Sequence, residues 1–571
     1  MPLGSMINSM LLLARNLDSQ KTTKIPVEKG KPDKPVYFPR DGKINFLDRC
    51  KPSEVGIRDE YIQSFINEIN SDHSLKPNRL LIIKDNKVIG EQYLYPNVQD
   101  AWDCVFSASK TVTALALGVL YDEGKVDLDL PVCKILENEK TIKVAKNKKI
   151  TLRHLLTMST GIRFNEIECV SSMRWTKSFF DSTSKFKLGT KFEYNSLNSY
   201  IVAKVVQKLS GKRFEEFIKE KIFNPIGVSE VHIDTSEEDC FKGGWGLYIL
   251  PEDMAKLGIL VRDFGMYNGQ QIISKKWIEM MTSTQFDARA CGRDYNYGFQ
   301  IWVDDNIGFS SFNGLYDQNI MIYRQSGVVI VTCFADNEAF HGSNLFKIAD
   351  KYFAYEPKYD FPLCENNGKR DLENEESLMY YFNALLDKEF KAHSKIANSC
   401  GILPLIIQNE VSTYVKGIRS LMFKKVDGKP LVIINEGGKK YEIPFSFGKG
   451  ERQLLTFYNN IYDCIVDARM ILSGKAEPYM VMRFFFLEFA SARYMTIKLG
   501  KDVNQISVEC SENPGVDFVN SLIQVQDEGT KNFINNAMNN LNQDYITGKI
   551  RNIFAPIFIA KASTALVKKE K

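Results

Sequence analysis

The run from Val112 to Leu120 consists almost entirely of Ala, Leu, Val and Gly. A helix that is apolar around its whole circumference lies inside a protein rather than on it. Gly124 stands where such a helix is usually capped. At the mouth of this helix come Ser107 and Lys110, and a spacing of three puts them on one face, about one turn apart, so the amine reaches the hydroxyl.

Proximity alone does not make a nucleophile. A serine needs a base, and a lysine serves only when it is held neutral or steers another group's proton; burial at a helix mouth supplies the desolvation that favours a neutral amine. The backbone N–H groups of the helix N-terminus favour developing negative charge. Ser-x-x-Lys by itself is also an ordinary helix start, with the serine as cap and the lysine on a wet face. The buried helix behind it separates the two readings, because a charged residue at that entrance needs a reason.

A chain of 571 residues exceeds what one core usually serves, so two or three domains are expected. The net charge of +4 comes from interspersed signs, which leaves no basic footprint for nucleic acid. Eleven cysteines are scattered singly without a CxxC pair, the usage of a reducing, cytoplasmic compartment, although a signal removed from the N-terminus is compatible with the chain. The five histidines show no ligand-like spacing, so neither a metal nor a cofactor is expected. No segment approaches the length of a transmembrane span. The sequence does not determine an oligomeric state.

Met1-Pro-Leu-Gly-Ser5 reads as an expression-tag remnant, followed by an extended Lys-, Pro- and Gly-rich arm over 6–47. From 48 to 357, a helix near Arg58 to Ser71 and a hairpin across Asp85-Asn86 precede the serine helix. A short helix capped by Thr151 carries His154 among leucines, more often a structural than a catalytic setting. Tyr194 stands on a loop just ahead of another helix, and a hairpin across Gln325-Ser-Gly327 precedes a last helix to Phe353. Strands at both ends with helices between imply an α+β fold whose antiparallel sheet draws its halves from both ends of the domain. A linker and helix (358–396), a β-rich accessory domain (397–515) and a basic helical tail (516–571) complete the expected organisation.

Four stretches now carry a resemblance. Phe106-Ser-Ala-Ser-Lys-Thr, Phe192-Glu-Tyr-Asn-Ser-Leu-Asn-Ser, the Gly243-Gly-Trp-Gly-Leu-Tyr-Ile-Leu-Pro-Glu-Asp-Met-Ala segment and Phe312-Asn-Gly314 before a hairpin resemble, in this order, the class C β-lactamase and D-alanyl-D-alanine carboxypeptidase group of serine hydrolases. The similarity runs from about Asp48 to Phe353 and includes Asn268 to Trp277; the β-rich region is similar to a C-terminal domain carried by some members. The resemblance implies a β-lactamase/transpeptidase-like fold and an acyl-enzyme mechanism. In it Ser107 is the nucleophile, Lys110 its tuning partner and Tyr194 the proton shuttle. The backbone N–H groups of Ser107 and Leu315 form the oxyanion hole, and Ser196, Phe312 and Gly314 face the substrate.

Two positions depart from that pattern. Ser196 stands where the family usually has Asn, and Phe312 where it has Lys or His. A ring in place of a cation suits a substrate carboxylate poorly, so the expected substrate is a small-molecule or peptide ester or neutral amide rather than a β-lactam or a D-Ala-D-Ala peptide. The competing reading is a catalytically weakened protein of this fold that binds or acts as a scaffold.

Overall fold

The computed structural model describes residues 44–136, 147–163, 174–337, 343–357, 359, 364, 381–411, 415–471, 479–515 and 555–562. The tag remnant, the arm up to 43, most of the linker and most of the tail lie outside them. Described residues up to 364 belong to one compact unit and those from 381 onward to a second.

The first unit is built on a seven-stranded antiparallel sheet. Its strands are β1 (Pro77–Lys84), β2 (Lys87–Tyr93), β3 (Asn296–Tyr297), β4 (Trp302–Asp304), β5 (Phe309–Gly314), β6 (Gln318–Tyr323) and β7 (Val328–Phe334). They lie in the order β2-β1-β7-β6-β5-β4-β3, with Leu81 opposite Val331 and Ile82 opposite Ile330. The two ends of the domain therefore meet inside the sheet, where β1 pairs with β7, as the hairpins at either end imply. The continuous apolar run Leu80-Leu-Ile-Ile83 marks a strand buried on both faces. Leu81 and Ile83 join one core cluster, Leu80 and Ile82 the other.

One face is covered by α1 (Asp59–Ser71) and α7 (Asn344–Phe353). Tyr61, Phe65 and Ile69 of α1 recur at helical spacing and are buried. The Tyr61 hydroxyl donates to the carbonyl of Tyr352 at 2.8 Å, and the two rings meet edge to face. The opposite face packs against the helical region, which includes α2 (Ser109–Asp122), α3 (Leu152–Leu156), α4 (Ser196–Ser210), α5 (Pro251–Arg262) and α6 (Lys275–Met281). Every residue of α2 from Ser109 to Leu120 is buried, as its composition requires. Thr151 caps α3 by accepting the N–H of His154, whose ring returns to Thr151, so His154 completes a helix start. The end of the N-terminal arm is pinned where the Leu47 N–H donates to the buried carboxylate of Glu252 at 2.6 Å, which also pairs with Arg49 at 2.7 Å.

In the second unit an eleven-stranded sheet carries the β-rich character expected for this region. β8 (Glu389–Ala392), β9 (Ile418–Val426), β10 (Lys429–Glu436), β11 (Lys439–Pro444), β12 (Ser446–Phe447), β13 (Arg452–Phe457), β14 (Asn460–Ile471), β15 (Tyr479–Phe486), β16 (Ser491–Leu499), β17 (Gln505–Asn513) and β18 (Ile557–Ala562) follow one another in the chain. Their spatial order is β11-β10-β9-β8-β18-β17-β16-β15-β14-β12, with β13 on β14. Alternate residues point inward, as Met480, Met482, Phe484 and Phe486 do on β15.

The tail corrects one expectation. Residues 557–562, read as part of a helical tail, form β18 between β8 and β17. Burial is two-fold periodic there, with Phe558 and Ala560 inward and Ile557 and Ile559 outward, and the neighbouring strands satisfy a backbone that a helix would have satisfied internally. A buried pair, Arg493 and Glu512 at 3.0 Å, holds the segment entering the short helix Leu405–Glu410 by taking the carbonyl of Leu403 and the N–H of Leu405.

One contact ties α2 to its surroundings tightly enough to test. A Cβ at Gly118 would come within 2.3 Å of the Trp277 indole of α6. Overpacking of this kind costs roughly 1–3 kcal/mol, more than the helix propensity of about 1 kcal/mol that alanine gains over glycine. Gly118→Ala is expected to lower the urea midpoint with an unchanged slope, and a stabilised variant would show that the indole moves aside freely.

Candidate active site

The turn that presents Ser107 is set from both sides. Val105 N–H donates to the carbonyl of Leu247 at 3.0 Å, anchoring the entering chain. Phe106 follows at φ 44°, a left-handed conformation uncommon for a residue with a side chain. Its fully buried ring meets Tyr316 edge to face, with centroids 5.4 Å apart, and that packing holds the strained residue in place. A single 3-10 turn, Phe106–Ala108, then runs directly into α2. Ser107 stands half-buried at this junction.

Lys110 is 1% exposed. Its Nζ donates to Ser107 Oγ at 2.7 Å and to the carbonyl oxygen of Gly244 at 2.7 Å, and it lies 4.8 Å from the centre of the Tyr194 ring. A buried amine is costly unless its protons find acceptors, and the serine and a backbone carbonyl fill that role. The spacing-based pairing of Ser107 with Lys110 is thus the observed contact. Gly243 and Gly244 bring the carbonyl in by lying flat on the first turn of α4. A Cβ on Gly243 would sit 2.5 Å from the carbonyl oxygen of Ser199, and one on Gly244 2.9 Å from that of Ser196.

Tyr194 precedes α4 on a short loop, and Asn195 caps that helix by accepting the N–H of Leu197 at 2.9 Å. The Tyr194 ring lies parallel to Trp302, 5.9 Å away at 13°, and edge-on to Tyr297 at 6.3 Å. The guanidinium of Arg293 is near enough for Tyr194 to counteract part of the lowering that burial imposes on that arginine. Ser196 opens α4 and is nearly buried beneath Gly244.

The end of β5 closes the site on its other side. A Cβ at Gly314 would stand 2.3 Å from the carbonyl oxygen of Val105, so the strand and the turn before Ser107 touch through their backbones. The chain then turns through Leu315–Asp317, where Tyr316 and Asp317 both take left-handed φ values, 63° and 59°. Leu315 thus lies between two residues, Gly314 and Tyr316, that meet Val105 and Phe106.

Phe312 holds its expected place in the strand, but the core closes over its ring. It is 0% exposed and belongs to the large core cluster with Val105, Ala108 and Val112. Its ring is packed in the core, which leaves none of it exposed to repel a substrate carboxylate. The sequence reading also missed the Gly244 carbonyl, Arg293 and Trp302. The glycine pair was the only local signal among them, since a carbonyl has no letter of its own. Among the described residues, no group of His, Cys, Asp and Glu is arranged to hold a metal, and no helix is long and apolar enough to cross a membrane.

Residues 73–351 match the family model described as Beta-lactamase. That stretch, a little under half of the chain, is a domain of the serine β-lactamase-related family of hydrolases. The chain is 22% identical over 294 residues to the 6-aminohexanoate-dimer hydrolase of Paenarthrobacter ureafaciens, covering 46% of this chain and 74% of that protein. It is 23% identical over 355 residues to the teichoic acid D-alanine hydrolase of Staphylococcus aureus, covering 57% of this chain and 79% of that one. Among solved structures, the octameric penicillin-binding protein homologue from Pyrococcus abyssi aligns over 76% of this chain and 97% of its own, with 16% identity and a TM-score of 0.40.

The approach of β5 to the turn before Ser107 yields a direct test. In Gly314→Ala the new methyl meets a backbone oxygen that cannot rotate away, so strand and turn must separate. Labelling of the variant by a fluorophosphonate is expected to slow at least tenfold, while circular dichroism shows a folded protein. Labelling at the wild-type rate would mean that the gap between strand and turn does not matter to the serine.

Proposed function

We propose that this serine hydrolase cleaves an ester or amide through an acyl-enzyme on Ser107, with Lys110 and Tyr194 as its proton-handling partners. The observation that carries the reading is the buried Lys110 amine, 2.7 Å from the serine oxygen and 4.8 Å from the centre of the tyrosine ring. Ser107 Oγ attacks the carbonyl carbon as its proton passes to the Lys110–Tyr194 pair. The oxyanion is received by the N–H groups of Ser107 and Leu315, each worth on the order of 3 kcal/mol in such a role. Collapse expels the alcohol or amine, which takes a proton from Tyr194, and water then cleaves the acyl ester by the reverse sequence. Ser196 and Gly314 border the space where the acyl group would lie. Relatives named as hydrolases support this class of reaction.

Intact-protein mass spectrometry after exposure to a fluorophosphonate, with turnover of a short aryl ester, tests the assignment. Wild type is expected to gain one adduct and Ser107→Ala none, with the variant still folded but melting at a lower temperature, because the buried Lys110 amine loses one of its acceptors. Tyr194→Phe is expected to lose at least a hundredfold in kcat. Undiminished turnover in Ser107→Ala would remove the reaction from this site. A folded wild type that neither labels nor turns over would favour the scaffold reading.

A further inference from the structure

The hairpin of β3 and β4 carries none of the stretches by which the family is recognised, yet it touches both proton-handling residues or their supports. Its sides supply Tyr297 and Trp302, the rings against Tyr194. Its tip supplies Gln300, which is 1% exposed and held at φ 58°.

Gln300 is bonded to three helices at once. Its Oε1 accepts from Ser199 Oγ of α4 at 2.5 Å, and its Nε2 donates to the carbonyls of Leu155 at 2.8 Å and Leu156 at 3.4 Å, at the end of α3. Its own N–H donates to the Leu156 carbonyl at 3.0 Å. Its carbonyl accepts from Thr111 Oγ1 at 2.6 Å, and Thr111 is the residue after Lys110 on α2. One residue thus joins the Lys110 helix to the helix that follows Tyr194, while the strands beside it hold the Tyr194 ring.

Packing alone would not select this residue. A glycine takes a positive φ without steric cost, and an apolar side chain enters a core without needing hydrogen-bond partners. Gln300 carries both costs, a left-handed backbone and a buried amide, and the surrounding helices over-determine it.

We propose that Gln300 is a positioning residue, which keeps Lys110 and Tyr194 in register by fixing the β3–β4 hairpin between α2, α3 and α4. The inference rests on the reading of Ser107, Lys110 and Tyr194 as the reacting set. Proton transfer depends steeply on such registration, and a displacement of about 1 Å can cost on the order of a hundredfold in rate.

The test compares Gln300→Met, which keeps length without the hydrogen bonds, with Thr111→Val and Thr111→Ser, which remove and restore the hydroxyl on α2. Each is assayed on an aryl ester for kcat, KM and the pH profile of kcat/KM, with fluorophosphonate titration to count competent sites and a melt to confirm folding. Gln300→Met and Thr111→Val are expected to lose at least tenfold in kcat, with KM within threefold and a displaced pH profile. Thr111→Ser is expected to stay within twofold of wild type. A folded Gln300→Met with a lower melting temperature but wild-type kcat and pH profile overturns the inference. Should Gln300→Met not fold, a folded Thr111→Val with those wild-type properties overturns it equally. Ser107→Ala run in parallel separates the two levels. Turnover that persists in Ser107→Ala defeats the reading of the site, whereas an inactive Ser107→Ala beside an unaltered Gln300→Met defeats only the role of Gln300.

Discussion

Burial of the Lys110 amine at the mouth of an apolar helix is the constraint on which the rest of the first unit depends. Water cannot satisfy an amine that is 1% exposed, so the protein must bring acceptors to it. One acceptor is local, the serine one turn earlier; another is the carbonyl of Gly244, far along the chain. Delivering that carbonyl requires a backbone without side chains flat against α4, which accounts for the glycine pair. The same close approach recurs at Gly314 against Val105. The site is therefore assembled largely by backbone meeting backbone, with few side chains between.

Such contacts have few alternatives. A side-chain contact can often be replaced by another residue of similar volume, whereas a carbonyl 2.3 Å from a would-be Cβ admits only glycine. The strained Phe106 belongs to the same economy of space. Its ring fills the gap behind the turn against Tyr316, and the turn then projects Ser107 toward Lys110.

Much of this was legible in the residues. Ser107 with Lys110, the buried α2 and the two hairpins rest on local spacing, and local spacing survives folding. Tyr194 ahead of α4 was legible for the same reason. What escaped is tertiary in origin. A carbonyl acceptor such as that of Gly244 has no sequence signature, and Trp302 looks like any core aromatic until its ring is found parallel to Tyr194. Phe312 shows the converse: alignment assigns its place in the strand but not how deeply the core closes over its ring. Ile557 to Ala562 read as part of a helical tail because their partners, Glu389–Ala392 and Gln505–Asn513, are distant in sequence.

The pairing of β1 with β7 also bears on how the protein matures. Leu81 finds its partner only when Val331 exists, and the turn at Leu315 follows Ser107 by some two hundred residues. During synthesis Ser107 therefore leaves the ribosome long before the strands that complete its surroundings. Folding topology dominated by such distant pairings is slow to close, and until it closes the apolar α2 is exposed without its sheet. Lys110 accompanies Ser107 from the start, but the strand end at Gly314 that packs on the turn before the serine arrives only near the end of the domain's translation.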